Sequence, residues 1–438
     1  MQTTLITNAR MVNDGEIREG DVLIKNGRIE NIAPSLPGEA DQIIDAQGKA
    51  LLPGMIDCHV HFREPGLEVK ADMHSESGAA VAGGVTSIME MPNTKPAAIS
   101  NAVLEDKFAL ASTKCIANYS FHLGASNTNI EELLAMDPKK VCGVKLFMGA
   151  STGGLLVDRT EQLENIFGKI EVPISLHCED TNTIRENEKA AREKFGEAIP
   201  FSEHWKIRSE EACYVSTKLA YELATKYGSQ IHVLHLTTAK ELEFFKAGAV
   251  ENKKITGEAC PHMLWFSSDD YEEKGAFIKC NPSIKTPADR AAIRQAVIDG
   301  VIDTIGTDHA PHLFEEKLNN YGSAPSGLPL IQSAMTSAVE LFPLEMVAEK
   351  TAHNPAKIFQ CLERGFIREG YWADLVLIDT EKPHTVSKNN IKYKCGWSPF
   401  EGVTFKSSID TTFVNGKIAF SNDEINTSVR GKRLLFDR

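Results

Sequence analysis

The stretch Asp57-Cys58-His59-Val60-His61-Phe62-Arg63-Glu64-Pro65-Gly66 decides how the rest of the chain is read. It emerges from the apolar run 50–56, a pattern that suits a buried strand. In a strand, residues i and i+2 face the same side. His59 and His61 would then point into one cavity, close enough to share a metal ion. Taken alone, a His-x-His pair fits two hydrogen-bonded core histidines equally well. The remaining chain has to choose.

From about residue 53, strand-like runs alternate with helical patterns. Strands are expected over 55–61, 85–91, 117–123, 141–147, 173–178, 230–236, 255–259 and 303–307. Helices are expected between them, among others over 72–82, 102–111, 159–169, 210–226 and 289–298. Eight strands in this rhythm predict an α/β fold, a parallel sheet closed into a (β/α)8 TIM-type barrel. An open doubly wound sheet is the alternative, but no Gly-x-Gly-x-x-Gly follows an early strand.

Both chain ends have a different texture. Runs 5–12, 21–25 and 28–32 are separated by Asn13-Asp14-Gly15 and Asn26-Gly27, which are hairpin signals. A strand over 373–379 and a hairpin over 411–419 repeat that texture near the C-terminus. The ends are expected to meet in one small β-sandwich beside the barrel. The expected division is therefore 1–52 and 363–438 for the sandwich, and 53–362 for the barrel.

Composition narrows the function. A chain of 438 residues is long for one simple core. Its formal net charge of −13 argues against nucleic acid or an anionic membrane as main partner, and leaves a small molecule. No stretch approaches the ~18 apolar residues of a membrane span. The N-terminus lacks the basic and apolar regions of a signal peptide. The nine cysteines are scattered, with no Cys-x-x-Cys, and suit reduced thiols in a cytoplasmic protein.

Barrel enzymes carry their chemistry at the C-terminal ends of the strands. His59 and His61 end the first expected strand, and Lys145 lies in the fourth. His177 and His235 lie near the ends of the fifth and sixth. Asp308 follows the eighth, in Gly306-Thr307-Asp308-His309-Ala310-Pro311-His312. Four imidazoles, a carboxylate and a lysine thus converge on one mouth. Imidazole and carboxylate suit zinc, with coordination positions left open for water. Any one of them alone reads as a core residue; their coincidence at five strand ends points to a metal site. His232, three before His235, falls on the opposite strand face and reads as structural. His122, at the end of the third strand, fits either role, with the structural one favoured. Lys145 sits in an apolar run, where a lysine readily loses its charge. A neutral amine can add carbon dioxide, and the resulting carbamate could bridge two metals. Asp158 is a second candidate for the bridge, or the start of a helix.

At this point the chain resembles the dihydroorotases of the cyclic amidohydrolase superfamily. The stretch 57–66 is similar to that family's first signature. Gly306 to His312, with Lys317 five residues on, resembles its second. The resemblance implies a zinc held by His59, His61 and Asp308, and a second held by His177 and His235. Carboxylated Lys145 would bridge the two ions. It further implies that Arg63, Asn93 and His312 hold a substrate carboxylate, and that Asn281 contacts the ring. Ser326 and Gly327 would close the site. Pro325-Ser326-Gly327 departs from a Pro-Phe-Gly pattern of one branch, in which an aspartate can replace the bridging lysine. A homodimer is a further expectation.

The implied reaction is the reversible cyclisation of N-carbamoyl-L-aspartate to L-dihydroorotate, in the biosynthesis of UMP. Metal-bound hydroxide would attack the cyclic amide, with Asp308 as general acid and base. Allantoinase and hydantoinase share the chemistry, and the Arg63, Asn93 and His312 set argues against them. A non-catalytic scaffold would lack ligands, and none is missing here. The polar stretch 313–324 after Asp308 reads either as a moving lid or as a passive barrel loop.

Overall fold

A computed structural model describes residues 3–149 and 155–438. All eight expected barrel strands are present: Met55–Val60 (β1), Val85–Glu90 (β2), Asn118–Gly124 (β3), Gly143–Phe147 (β4), Ile174–His177 (β5), Ile231–Val233 (β6), Ile255–Ala259 (β7) and Thr304–Ile305 (β8). Each pairs in parallel with the next, in sequence order. Nearly every residue in these strands is buried. A sheet covered on both faces explains why its strands read as continuous apolar runs.

Helices between the strands start where the sequence offers caps. Asp72 accepts from the Ser75 amide and opens Met73–Ala82 through a capping box. Ser209 caps Glu210–Tyr227, which stops at Gly228 with φ +72°. Thr286 and Pro287 open Pro287–Ile298. Each cap satisfies amides that a helix N-terminus leaves free. The sequence reading passed over Thr181–Phe195, capped by Asp180. Only Ile184 and Ala191 of that helix are buried, and few apolar residues mark it in a largely charged stretch.

The barrel closes just beyond the ends of β1 and β8. Val60 and His309 form a parallel bridge, and the His61 amide donates to the His309 carbonyl at 2.7 Å. Buried Asp57 accepts from the Thr307 amide at 3.0 Å and from its hydroxyl at 2.6 Å. This seam brings 57–63 and 306–312 side by side.

The chain ends form a second sheet of nine strands, largely antiparallel. Ala50–Pro53 joins its two halves. It runs parallel to Thr3–Asn13 on one side and antiparallel to Leu375–Asp379 on the other. Ile6, Val22, Leu51, Leu375 and Phe413 share its core. The expected turns are all sharp ones with positive φ at both central residues: Asp14-Gly15, Asn26-Gly27 and Asn415-Gly416. The C-terminal stretch does not stay within this sheet. Trp397 lies against the barrel, its indole N–H donating to the His312 carbonyl at 2.8 Å. Phe400 and Phe405 pack their rings on Trp265.

Asp57→Ala would strand the buried Thr307 amide at the seam. The expected cost is about 2–4 kcal/mol, read as a lower urea midpoint. An unchanged midpoint would show that the seam closes without this carboxylate.

Candidate active site

Every residue singled out for the site, the alternative Asp158 apart, lines one cavity of about 270 Å³ at the C-terminal mouth of the barrel. Its floor is the histidine cluster. His59 and His61 stand two apart at the end of β1, with ring centroids 5.6 Å from each other. His59 lies 5.2 Å from His235, and His235 4.8 Å from His177. Asp308 reaches in from the turn after β8. Three of the lining residues adopt left-handed backbone without being glycine: Arg63 at φ +69°, His235 at +41° and Asp308 at +50°. Such conformations carry strain and concentrate at functional sites.

The outer ring nitrogens decide what the inner ones can do. His59 Nδ1 lies 2.8 Å from the Glu258 carboxylate, His61 Nδ1 2.8 Å from Asn93 Oδ1, and His177 Nε2 2.9 Å from Glu179. Each of these oxygens accepts, so the ring proton sits on the outer nitrogen. The inner nitrogen is left with its lone pair. Burial pushes His61 down to about 4 and lowers His177 as well, so both rings stay neutral. Two of the inner nitrogens then face a further acceptor, and the third meets another ring. His59 Nε2 and His61 Nε2 each stand 3.2 Å from Asp308 Oδ1, and His177 Nδ1 stands 3.0 Å from His235 Nε2. Lone pairs turned on a carboxylate call for a cation between them. His59, His235 and Asp308 offer ligand atoms within 4.8 Å of one another, a grouping that could hold a metal ion.

Lys145 borders the same space. It is buried, its Nζ has no hydrogen-bond partner, and it lies 4.6 Å from the Phe147 ring centre. Burial pushes its ammonium down to about 7, so the neutral amine is accessible near neutrality. Asp158 lies outside this cavity. It is exposed and accepts from Asn127 instead. His232 is held by the hydroxyls of Thr256 and Thr304, and His122 by Ser175, outside the cavity lining. Both are structural, as expected.

One wall is built for an anion. The buried guanidinium of Arg63 donates to the Pro311 carbonyl at 3.0 Å and lies 3.1 Å from His312 Nε2. No carboxylate among the described residues pairs with it. Asn93 uses its oxygen on His61, which leaves its amide hydrogens to the cavity. Asn281 presents a buried Oδ1 with no partner. Gly327 has φ +139°, and a Cβ there would press on the Ala310 carbonyl and the His312 ring.

Stretch 313–324 is tied down rather than loose. The buried Lys317 ammonium donates to the carbonyls of Pro325 at 2.9 Å and Gly327 at 3.0 Å. Lys279 donates to those of Tyr321 at 2.6 Å and Ala324 at 2.7 Å. The tethers favour the passive-loop reading over a freely moving lid.

Sequence reasoning missed the outer residues. Glu258 orients His59, and the His235 amide also donates to it, at 3.2 Å. Its place is the reason for a bare Gly306, since a Cβ there would collide with the Glu258 carboxylate. A glutamate inside the expected strand 255–259 was the available signal. Glu179, only two residues after His177, is fixed in turn by Arg208.

A family model described as "Amidohydrolase family" matches residues 50–419. The chain belongs to the amidohydrolase family. As a member it is a hydrolase acting on cyclic amide C–N bonds. A protein of Methanosarcina acetivorans named dihydroorotase is 32% identical, with 96% of this chain and 92% of the relative covered. A dihydroorotase of Halobacterium salinarum is 31% identical over 90% of this chain and 92% of its own length. An allantoinase of Bacillus velezensis is 29% identical over 95% and 94%. Among solved structures, an L-hydantoinase from Arthrobacter aurescens has a TM-score of 0.92 at 24% identity, covering 97% of this chain and 98% of that one. At that identity the likeness speaks for the amidohydrolase fold alone.

Metal uptake by this amidohydrolase should follow the protonation of Lys145. Its amine is neutral above about pH 7 and protonated below. Apoprotein is expected to take up metal at pH 8 with bicarbonate and to lose uptake toward pH 6, as read by elemental analysis. Lys145→Ala should bind far less metal at either pH. Full loading of that variant would show that Lys145 is not needed to hold metal.

Proposed function

We propose that the chain is a dihydroorotase. It interconverts N-carbamoyl-L-aspartate and L-dihydroorotate, a step of pyrimidine biosynthesis, with two zinc ions. Arg63 carries this reading. A guanidinium is costly to bury without an anion beside it. Burial pushes Arg63 down to about 10, and the missing anion has to come with the substrate. The substrate carboxylate is that anion, and a planar guanidinium can hold it through two hydrogen bonds. The relatives named dihydroorotase support the same reading. Hydantoins with neutral side groups would leave Arg63 unpaired, which weighs against a hydantoinase.

His59, His61 and Asp308 would hold one zinc, His177 and His235 the other, and carboxylated Lys145 would bridge them. Bound there, the ions would supply Lewis acidity, making water acidic enough to ionise near neutrality and polarising the amide carbonyl. The chain's own groups do the rest. Arg63, Asn93 and His312 orient the ring through its carboxylate. Asn281 Oδ1 accepts a ring N–H. Asp308 takes the proton of the attacking water and passes it to the ring nitrogen as the C–N bond breaks. Ring closure runs the same proton path backwards.

The division of the chain belongs to this proposal: residues 53–362 as the catalytic barrel, 1–52 and 363–438 as the companion unit. Nine free thiols suit a cytoplasmic setting, and no helix of the described residues is long and apolar enough to cross a membrane.

Purified protein is expected to contain zinc and to hydrolyse L-dihydroorotate. Turnover of allantoin or a hydantoin, with none of dihydroorotate, would overturn the substrate assignment. Arg63→Met should raise KM for dihydroorotate by roughly ten- to a hundredfold, the loss of a charged hydrogen bond, while metal content holds. Asp308→Ala should depress kcat far more than it raises KM.

A further inference from the structure

His312 stands between three hydrogen-bonding neighbours, and they disagree about its proton. Its Nδ1 lies 2.9 Å from the Lys70 ammonium. Its Nε2 lies 3.0 Å from the Ser326 carbonyl and 3.1 Å from the Arg63 guanidinium. An ammonium can only donate, so Nδ1 has to accept. The proton then sits on Nε2 and is given to Ser326. Arg63 finds a donor where it would need an acceptor. The reverse tautomer would let Nε2 accept from Arg63, but it would set Nδ1–H against Lys70 and the bare Nε2 lone pair against a carbonyl. Burial, with Arg63, Lys70 and Lys317 close by, holds His312 well below the usual histidine range, so the doubly protonated ring is not an escape.

Lys70 is itself held in place. It pairs with Glu316 at 2.8 Å, and Glu316 accepts from the Leu313 amide at 3.0 Å. Glu316 lies 3.6 Å from His312 Nδ1, beyond a hydrogen bond. Without Lys70, that carboxylate is the nearest group able to attract an Nδ1 proton.

We infer that Lys70 is a positioning residue that keeps His312 in its Nε2–H tautomer and thereby keeps Arg63 free for the substrate carboxylate. The inference rests on the proposed carboxylate-bearing substrate for its kinetic consequence, but not for the tautomer itself. The Arg63 N–H turned toward His312 Nε2, 3.1 Å away, then has no acceptor there, and an arriving carboxylate supplies one. In the other tautomer His312 would occupy that Arg63 N–H internally, and the substrate would lose it.

The test compares wild type, Lys70→Met and Lys70→Arg as metal-loaded proteins. Nitrogen-15 histidine spectra without substrate, assigned with a His312→Gln variant, read the tautomer directly. Wild type and Lys70→Arg should show His312 protonated on Nε2, and Lys70→Met should shift it to Nδ1. With L-dihydroorotate, Lys70→Met should raise KM about tenfold or more at nearly constant kcat and metal content. Lys70→Arg should recover most of that loss. An Nε2–H signal that persists in Lys70→Met, or an unchanged KM, would overturn the role of Lys70. A fall in kcat and metal content with no change of tautomer would mark Lys70 as merely structural and overturn it too. A wild type that ignores dihydroorotate would instead sink the substrate assignment, and the spectra would still decide the tautomer.

Discussion

The structure depends on the seam where the last barrel strand meets the first. Asp57 and Thr307 join across it by side chain and main chain, and His61 bonds directly to His309. Two stretches separated by some 250 positions in sequence become neighbours. One side of the seam supplies His59, His61 and Arg63. The other supplies Asp308 and His312. A gap there would part the histidine pair from its carboxylate and the guanidinium from its imidazole at once. The site is therefore a property of barrel closure, and no single strand contains it.

Around that seam, charge is buried in opposite senses on two sides of one cavity. On the floor, acceptors converge: imidazole lone pairs and the Asp308 carboxylate, with His59, His61 and His177 oriented from behind by Glu258, Asn93 and Glu179. On the wall, donors converge: Arg63 and His312, with Lys70 and Lys317 behind them. One side asks for cations and the other for an anion. A small molecule with a carboxylate at one end and a polarisable amide at the other answers both.

Much of this was legible in the sequence. The two-residue period of His59 and His61 fixed which face they share, and the strand–helix rhythm placed the other candidate residues at the same mouth. Lys145 was readable because a lysine in an apolar run has little chance of solvent. The illegible part is what crosses long distances or lacks a period. Glu258 looked like one more strand residue, yet it orients His59 from the seventh strand, two strands away across the seam. Lys70 meets His312 across 242 positions, through loops whose course no periodicity encodes. Helix Thr181–Phe195 buries too little to announce itself, and the aromatic residues near 400 leave the sheet for the barrel because apolar surface waits for them there.

The tethers on residues 321–327 have a consequence for how such a pocket changes over generations. Lys279 and Lys317 grip this segment by its carbonyl oxygens, which every amino acid possesses. Its path is thus indifferent to most of its own side chains. Ser326 can be exchanged while the main chain around it keeps its course, and Gly327 is the position where the crowding of Ala310 and His312 forbids it. The scaffold separates the part that shapes the pocket from the part that decorates it, so ligand preference is free to drift without the loop being rebuilt.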